Sequence, residues 1–152
     1  MAEQSEEVRV EAAPDVVWSV LADFGAIARW APNVDHSSIA SERPDGVGAV
    51  RRVQVGRNAL LERIVTWKVG ERLGYELEGL PPVVRKVTNT WTVTADGSGS
   101  LVRLTTDIDA AGARPPQRAA ARVFGKVLAR SSRELVSGLA AHVNQLAGEE
   151  AA

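Results

Sequence analysis

Several polar side chains stand where a strand pattern calls for apolar ones, and their types could do chemistry together. In "VVRKVTNTWTV", a two-residue period puts Val83, Arg85, Val87, Asn89, Trp91 and Val93 on one face, with Val84, Lys86 and three threonines on the other. The first face reads as the inward one, yet it holds an arginine and an asparagine. The same counting groups Ala49, Arg51, Val53 and Val55; Leu60, Glu62, Ile64 and Thr66; Leu73, Tyr75 and Leu77; and Val102, Leu104, Thr106 and Ile108. A buried unpaired charge costs several kcal/mol, so Arg85 needs an anion, a carboxylate partner or water. A phenol and an amide such as Tyr75 and Asn89 could orient a carbonyl, and Arg85 or Arg51 could stabilise an enolate as charge develops. A plain cross-strand ion pair of Glu62 with Arg51 or Arg85 satisfies the same pattern without chemistry.

Other chemistries are poorly supplied. There is no cysteine, and the two histidines, His36 and His142, have no metal-type spacing, so neither a metal nor a cofactor is expected. With 18 Lys+Arg against 19 Asp+Glu, the chain lacks the field that recruits nucleic acid. Hydrophobic residues at 45% and charged residues at 24% are ordinary globular values. No stretch has the length of a signal-peptide core or of a membrane span, which makes a cytoplasmic protein the default. High Ala, Val and Arg content fits a GC-rich bacterial source.

These side chains need a scaffold, and one domain over residues 1–152 is expected, since neither a repeat nor a linker divides the chain. "EEVRVEA" alternates as a strand. "APDVVWSVLADF" then changes to helical spacing, with Pro14 in the first turn, and a second short helix through "GAIARW" stops before Pro32. Six further strands follow: Val34 to Ser41, Ala49 to Val55, Leu60 to Lys68, Arg72 to Glu78, Val83 to Ala95 and Ser100 to Ala110. Short turn-forming breaks make them antiparallel neighbours. From Pro115, helical spacing runs for about 30 residues, roughly 45 Å. Its apolar stripe of Phe124, Val127, Leu128, Leu135, Leu139, Val143 and Leu146 needs the concave face of the sheet. A bent sheet seldom seals onto a helix along its whole length, so a cavity is expected between them.

The order and spacing of "VEAAPDVVWSVLADFGAIARWAPNV", "DGVGAVRRV", "LLERIVTWKVGERLGYELEGLPPVV" and "GSLVRLTTDI" resemble the START-like helix-grip superfamily, SRPBCC, over nearly the whole chain. The resemblance is strongest to the bacterial polyketide cyclase/dehydrase and lipid-transport branch. It implies an α+β helix-grip fold: about seven strongly bent antiparallel strands wrapped around a long C-terminal helix, with two short helices after the first strand. It also implies an apolar cavity that takes a small hydrophobic molecule. Plant abscisic-acid receptors are similar too, but their proline-containing gate is replaced here by "VGRNAL" and their latch is absent around "GLPPVVRKV", so a hormone-receptor reading is rejected.

In that receptor branch the glutamate aligning with Glu62 faces the cavity, and the ligand-pairing lysine aligns with Asp35, which reverses the charge. If Glu62 and Asp35 are both buried they form the candidate catalytic pair, with at least one carboxyl poised to take or give a proton in enolisation, dehydration or aldol closure. A ligand would meet Arg51 and Val53, Ile64, Tyr75, Arg85, Val87, Asn89, Trp91 and Thr106 from the sheet, and Phe124 and Leu128 from the helix. Trp67 has the opposite parity to Glu62 and is either outward or shifted by a bulge. Arg130, Arg133 and Glu134 read as a solvated helix face. The favoured function is binding of a small apolar or polyketide-like molecule by a carrier or sensor, monomeric or homodimeric. A cyclase, aromatase or dehydratase and a protein-interaction module are the alternatives.

Overall fold

In the computed structural model, which describes residues 2–112 and 114–151, the alternating N-terminal segment forms strand β1 (Ala2–Val10). Helix α1 (Pro14–Ala22) starts on a proline after the extended Ala13 and buries Val17, Trp18 and Leu21. The second short helix is a 3-10 helix, Phe24–Arg29, kinked at Ala26. Its three-residue turn explains the spacing of Phe24, Ile27 and Trp30, all of which are buried. The remaining strands are β2 (His36–Ile39), β3 (Val50–Val55), β4 (Asn58–Lys68), β5 (Arg72–Glu78), β6 (Val84–Asp96) and β7 (Gly99–Ala110), followed by α2 (Pro115–Ala151). All seven strands pair antiparallel in one sheet, in the order β1-β7-β6-β5-β4-β3-β2. This is the helix-grip architecture expected from the sequence, with a longer final helix of 37 residues.

Two bulges bend the sheet and reassign its faces. In β4 the register passes from Ile64 opposite Tyr75 to Thr66 opposite Gly74, so Val65 is the extra residue. The parity then flips, and Trp67 turns in to meet Trp18 edge-to-face at 5.1 Å, while Thr66 leaves the face it was expected to share with Glu62. In β6 the register passes from Val84 opposite Ala110 to Lys86 opposite Asp109, making Arg85 the extra residue. Val84 is buried in its place, and the expected inward alternation holds from Val87 through Asn89, Trp91 and Val93.

The sheet grips α2 unevenly. Leu135, Val136, Leu139 and Val143 are buried in the second half of the helix. In the first half, Phe124 and Leu128 are only partly buried, and Val127, expected in the buried stripe, is 59% exposed. Close packing of the second half depends on Gly138, because a Cβ there would fall inside contact distance of the Trp30 carbonyl oxygen and Pro32 Cδ. Backbone cannot yield as a flexible side chain can. Alanine is favoured over glycine in a helix by about 1 kcal/mol, yet Gly138→Ala should lower stability by about 1–3 kcal/mol through overpacking. Gly148→Ala, whose added Cβ meets nothing within 4 Å, should be neutral or stabilising. Urea denaturation of the two variants checks this; a rise in stability for both would contradict the close approach at Gly138.

Candidate functional site

Where α2 stands off, the sheet encloses a cavity of about 580 Å³ between β3 to β6, the Ile27–Val34 corner and the first half of the helix. Its walls are largely aliphatic, from Val53, Leu77, Phe124, Leu128 and Leu135 among others. Solvent-exposed lining residues mark the rim: Asn58 and Ala59 after the β3–β4 turn, Pro81 in the β5–β6 loop, and Val127 and Arg130 on α2. Glu62, Tyr75 and Asn89 are buried at its deep end, with Ser132 across from them on α2.

Glu62 is held by Arg51, the residue opposite it in the β3–β4 register. Arg51 Nε donates to Glu62 Oε1 at 2.7 Å and Nη1 donates to the Phe24 carbonyl at 3.0 Å. The guanidinium carbon lies 3.8 Å from the Phe24 ring centroid and 4.5 Å from that of Tyr75, so two aromatic rings complete the cation's shell. Nη2 is buried and has no hydrogen-bond partner among the described residues. Glu62 lines the cavity, whereas Arg51 stands behind the lining.

Beside this pair, Trp91 Nε1 donates to the Tyr75 hydroxyl at 3.2 Å. Burial, and then the negative charge of Glu62, push the Tyr75 phenol above its ordinary value of 10.0, with Arg51 acting in the opposite direction. A second chain of hydrogen bonds crosses from sheet to helix: Thr106 Oγ1 donates to Asn89 Oδ1 at 2.7 Å and lies 3.2 Å from Ser132 Oγ. At the rim, Asn33 Nδ2 donates to Ser131 Oγ at 2.9 Å, and Arg130 approaches Glu134 at 3.8 Å.

Of the residues the sequence pointed to, Val53, Glu62, Tyr75, Asn89, Phe124 and Leu128 line the cavity. Arg51, Ile64, Val87, Trp91 and Thr106 are buried but stand outside the lining. Two expectations are corrected. Arg85 is the bulged residue of β6, so its side chain is 66% exposed and reaches Asp109 at 3.8 Å on the outer surface. Asp35 precedes β2 and is exposed; its Oδ2 accepts the backbone N–H of Gly56 at 2.8 Å. Gly56 has φ of 59°, and Asp35 therefore fastens the β3–β4 turn. The two-carboxylate site is not assembled, because Glu62 and Asp35 occupy different environments.

Sequence counting missed Ile27, Asn33, Leu80, Pro81, Ser131 and Ser132. Leu80 offered a signal, as an apolar residue inside a turn-forming "GLPP". The rim charges Arg130 and Glu134 read simply as solvated helix surface.

Residues 1–144 match the family described as Polyketide cyclase / dehydrase and lipid transport. The chain belongs to this family. Among solved structures it is similar to the Zhui aromatase/cyclase from Streptomyces sp. R1128, with TM-score 0.79 and 23% identity over 95% of this chain and 94% of that one. A protein from Thermobifida fusca, solved in solution, superposes with TM-score 0.78 and 27% identity over 96% and 95% of the two chains. The di-domain ARO/CYC BexL from the BE-7585A biosynthetic pathway gives TM-score 0.78 at 19% identity, covering 94% of this chain but 46% of that one. No curated protein matches the sequence.

Two expectations follow from the buried network. Arg51→Met strands Glu62 as a buried unpaired charge and should cost about 3–5 kcal/mol. Adding Glu62→Leu removes that charge and should recover most of the loss; denaturant titration of single and double variants checks the sign, and a double variant no better than the single would refute it. Tyr75 is the sole tyrosine, so phenolate absorbance reports on it alone. Its native-state value is raised, so the unfolded chain releases the phenol proton first. Stability from this group is unchanged well below the unfolded value near 10.0 and falls as pH rises through it. Phenolate absorbance should therefore appear together with loss of far-UV circular dichroism. A reversible titration at the ordinary value with the fold intact would show a solvated phenol instead.

Proposed function

We propose that the protein binds a small apolar, polyketide-like molecule in the cavity between sheet and α2, as a carrier or sensor. The observation that carries this reading is the shape and chemistry of the cavity: about 580 Å³, aliphatic walls, and a few polar groups gathered at the deep end. That combination suits a ligand whose body is held by apolar contact and whose orientation is set by hydrogen bonds. Membership of a family described by cyclase, dehydrase and lipid-transport activities supports the same ligand class.

A second reading, cyclisation or dehydration of a carbonyl compound, has specific support in the carboxylate of Glu62 lying near the Tyr75 hydroxyl and Asn89 amide on one wall. The similar structures include proteins described as aromatase/cyclases. In this reading Glu62 would move the proton while Tyr75 and Asn89 orient a carbonyl. Glu62 would act without a second carboxylate.

Native purification, followed by denaturation and mass spectrometry of the released small molecules, tests the binding reading. Leu128→Trp fills the cavity from the helix side and serves as the control. An apolar compound should leave with the parent and be at least tenfold depleted in the variant. Equal recovery from both folded proteins would place the compound elsewhere and remove the cavity as the binding site.

A further inference from the structure

We propose that the cavity selects neutral, hydroxyl-bearing apolar molecules and rejects ionised carboxylic acids. This rests on the ligand-binding reading above and adds to it the chemistry of the ligand's polar end. The deciding feature is which end of the buried ion pair the ligand meets. Glu62 is on the cavity lining, while the Arg51 guanidinium is behind it, against the rings of Phe24 and Tyr75 and with Nη2 buried. The pair is thus a dipole whose negative end faces the ligand. The other charged residues on the lining, Arg130 and Glu134, stand at the rim with side chains 79% and 41% exposed, where water screens them.

The hydrogen-bonding capacity left over at the deep end is equally specific. Glu62 Oε1 is occupied by Arg51, and Oε2 accepts no hydrogen bond among the described residues while retaining open surface. It is a free acceptor. The Tyr75 hydroxyl already accepts from Trp91, which leaves its proton to give. Asn89 Oδ1 is occupied by Thr106 and its amide also acts on the Tyr75 hydroxyl, which leaves the remaining amide N–H. Tyr75 and Asn89 are direct cross-strand partners, whereas Glu62 pairs with Leu77, two residues along β5 from Tyr75. The wall therefore offers a pair of neighbouring donors for a carbonyl or ether oxygen, and one separate, ionised acceptor for a hydroxyl.

A ligand hydroxyl on Glu62 makes a hydrogen bond to a charged group, among the stronger kinds available. An apolar group there would desolvate Oε2 and leave it unpaired. An ionised ligand carboxylate would bring a like charge beside Glu62 in a poorly hydrated space, with the Arg51 cation already committed to Glu62.

Three probes that share one ring system isolate this effect: 2-naphthol, 2-methoxynaphthalene and 2-naphthoate, titrated calorimetrically into the full chain at neutral pH. The parent should bind 2-naphthol about tenfold more tightly than 2-methoxynaphthalene, with 2-naphthoate weaker than both. In Glu62→Gln the amide oxygen can still accept from Arg51 while the charge is gone. The gap between naphthol and methoxynaphthalene should shrink, and naphthoate should gain at least tenfold. Should that variant fail to fold by circular dichroism, the order of the three probes on the parent decides alone. Naphthoate binding as tightly as naphthol, or naphthol binding no better than methoxynaphthalene, overturns the selectivity and leaves the binding reading standing. No binding of any probe to the parent overturns both.

Discussion

The guanidinium of Arg51, 2% exposed in the middle of a small fold, is the constraint around which this structure is arranged. A buried cation must be surrounded by compensating groups, and here four groups on three residues supply them: the Phe24 carbonyl and ring, the Tyr75 ring and the Glu62 carboxylate. Each belongs to a different part of the chain or contacts it through a different atom, so satisfying one charge locks the 3-10 helix onto β3, β4 and β5. The arrangement also has a chemical consequence. Screened on one side by two rings, the cation can pull its carboxylate partner only from behind, and the carboxylate is left facing open space.

That open space exists because the sheet and the helix cannot match along their full length. The bulges at Val65 and Arg85 increase the local bend, and the close passage of Gly138 against Trp30 and Pro32 presses the second half of α2 into the grip. The first half is held off the sheet. Phe124 and Leu128 then form a lid over polar groups instead of filling a core, and Val127 stays at the rim. The cavity is thus a product of uneven gripping, sealed at one end by aliphatic packing and by the Thr106, Asn89 and Ser132 hydrogen bonds at its deep wall.

The family contains more than one kind of activity in its own description, so the fold leaves the choice of function to the site. What distinguishes this site is economy. A carboxylate, a phenol, an amide and the Ser132 hydroxyl interrupt the aliphatic wall at depth, and each has part of its hydrogen-bonding capacity already spent inside the protein. Such groups are well suited to orienting a ligand, because their own positions are set before it arrives.

Strand and helix order, the concave face and an ion pair of Glu62 with one of two arginines were legible in the sequence, because side-chain direction alternates with a fixed period and hairpin connections are short. The same regularity explains where counting went astray. A single extra residue in β6 exchanges faces, so Arg85 and Val84 trade places, and the position of that residue is set by pairing with β7, which local sequence does not encode. Another in β4 turns Trp67 inward for the same reason. Asp35 lies just before β2, where strand alternation no longer fixes side-chain direction, and it swings out to cap a turn. Loop contributions such as Leu80 and Pro81, and the choice of Arg51 over Arg85 as partner to Glu62, depend on distances between segments remote in the chain. Local periodicity determined which elements this protein has and which faces they bury; only tertiary packing decided which of those buried side chains meet a ligand, because the cavity is the space that packing leaves unfilled.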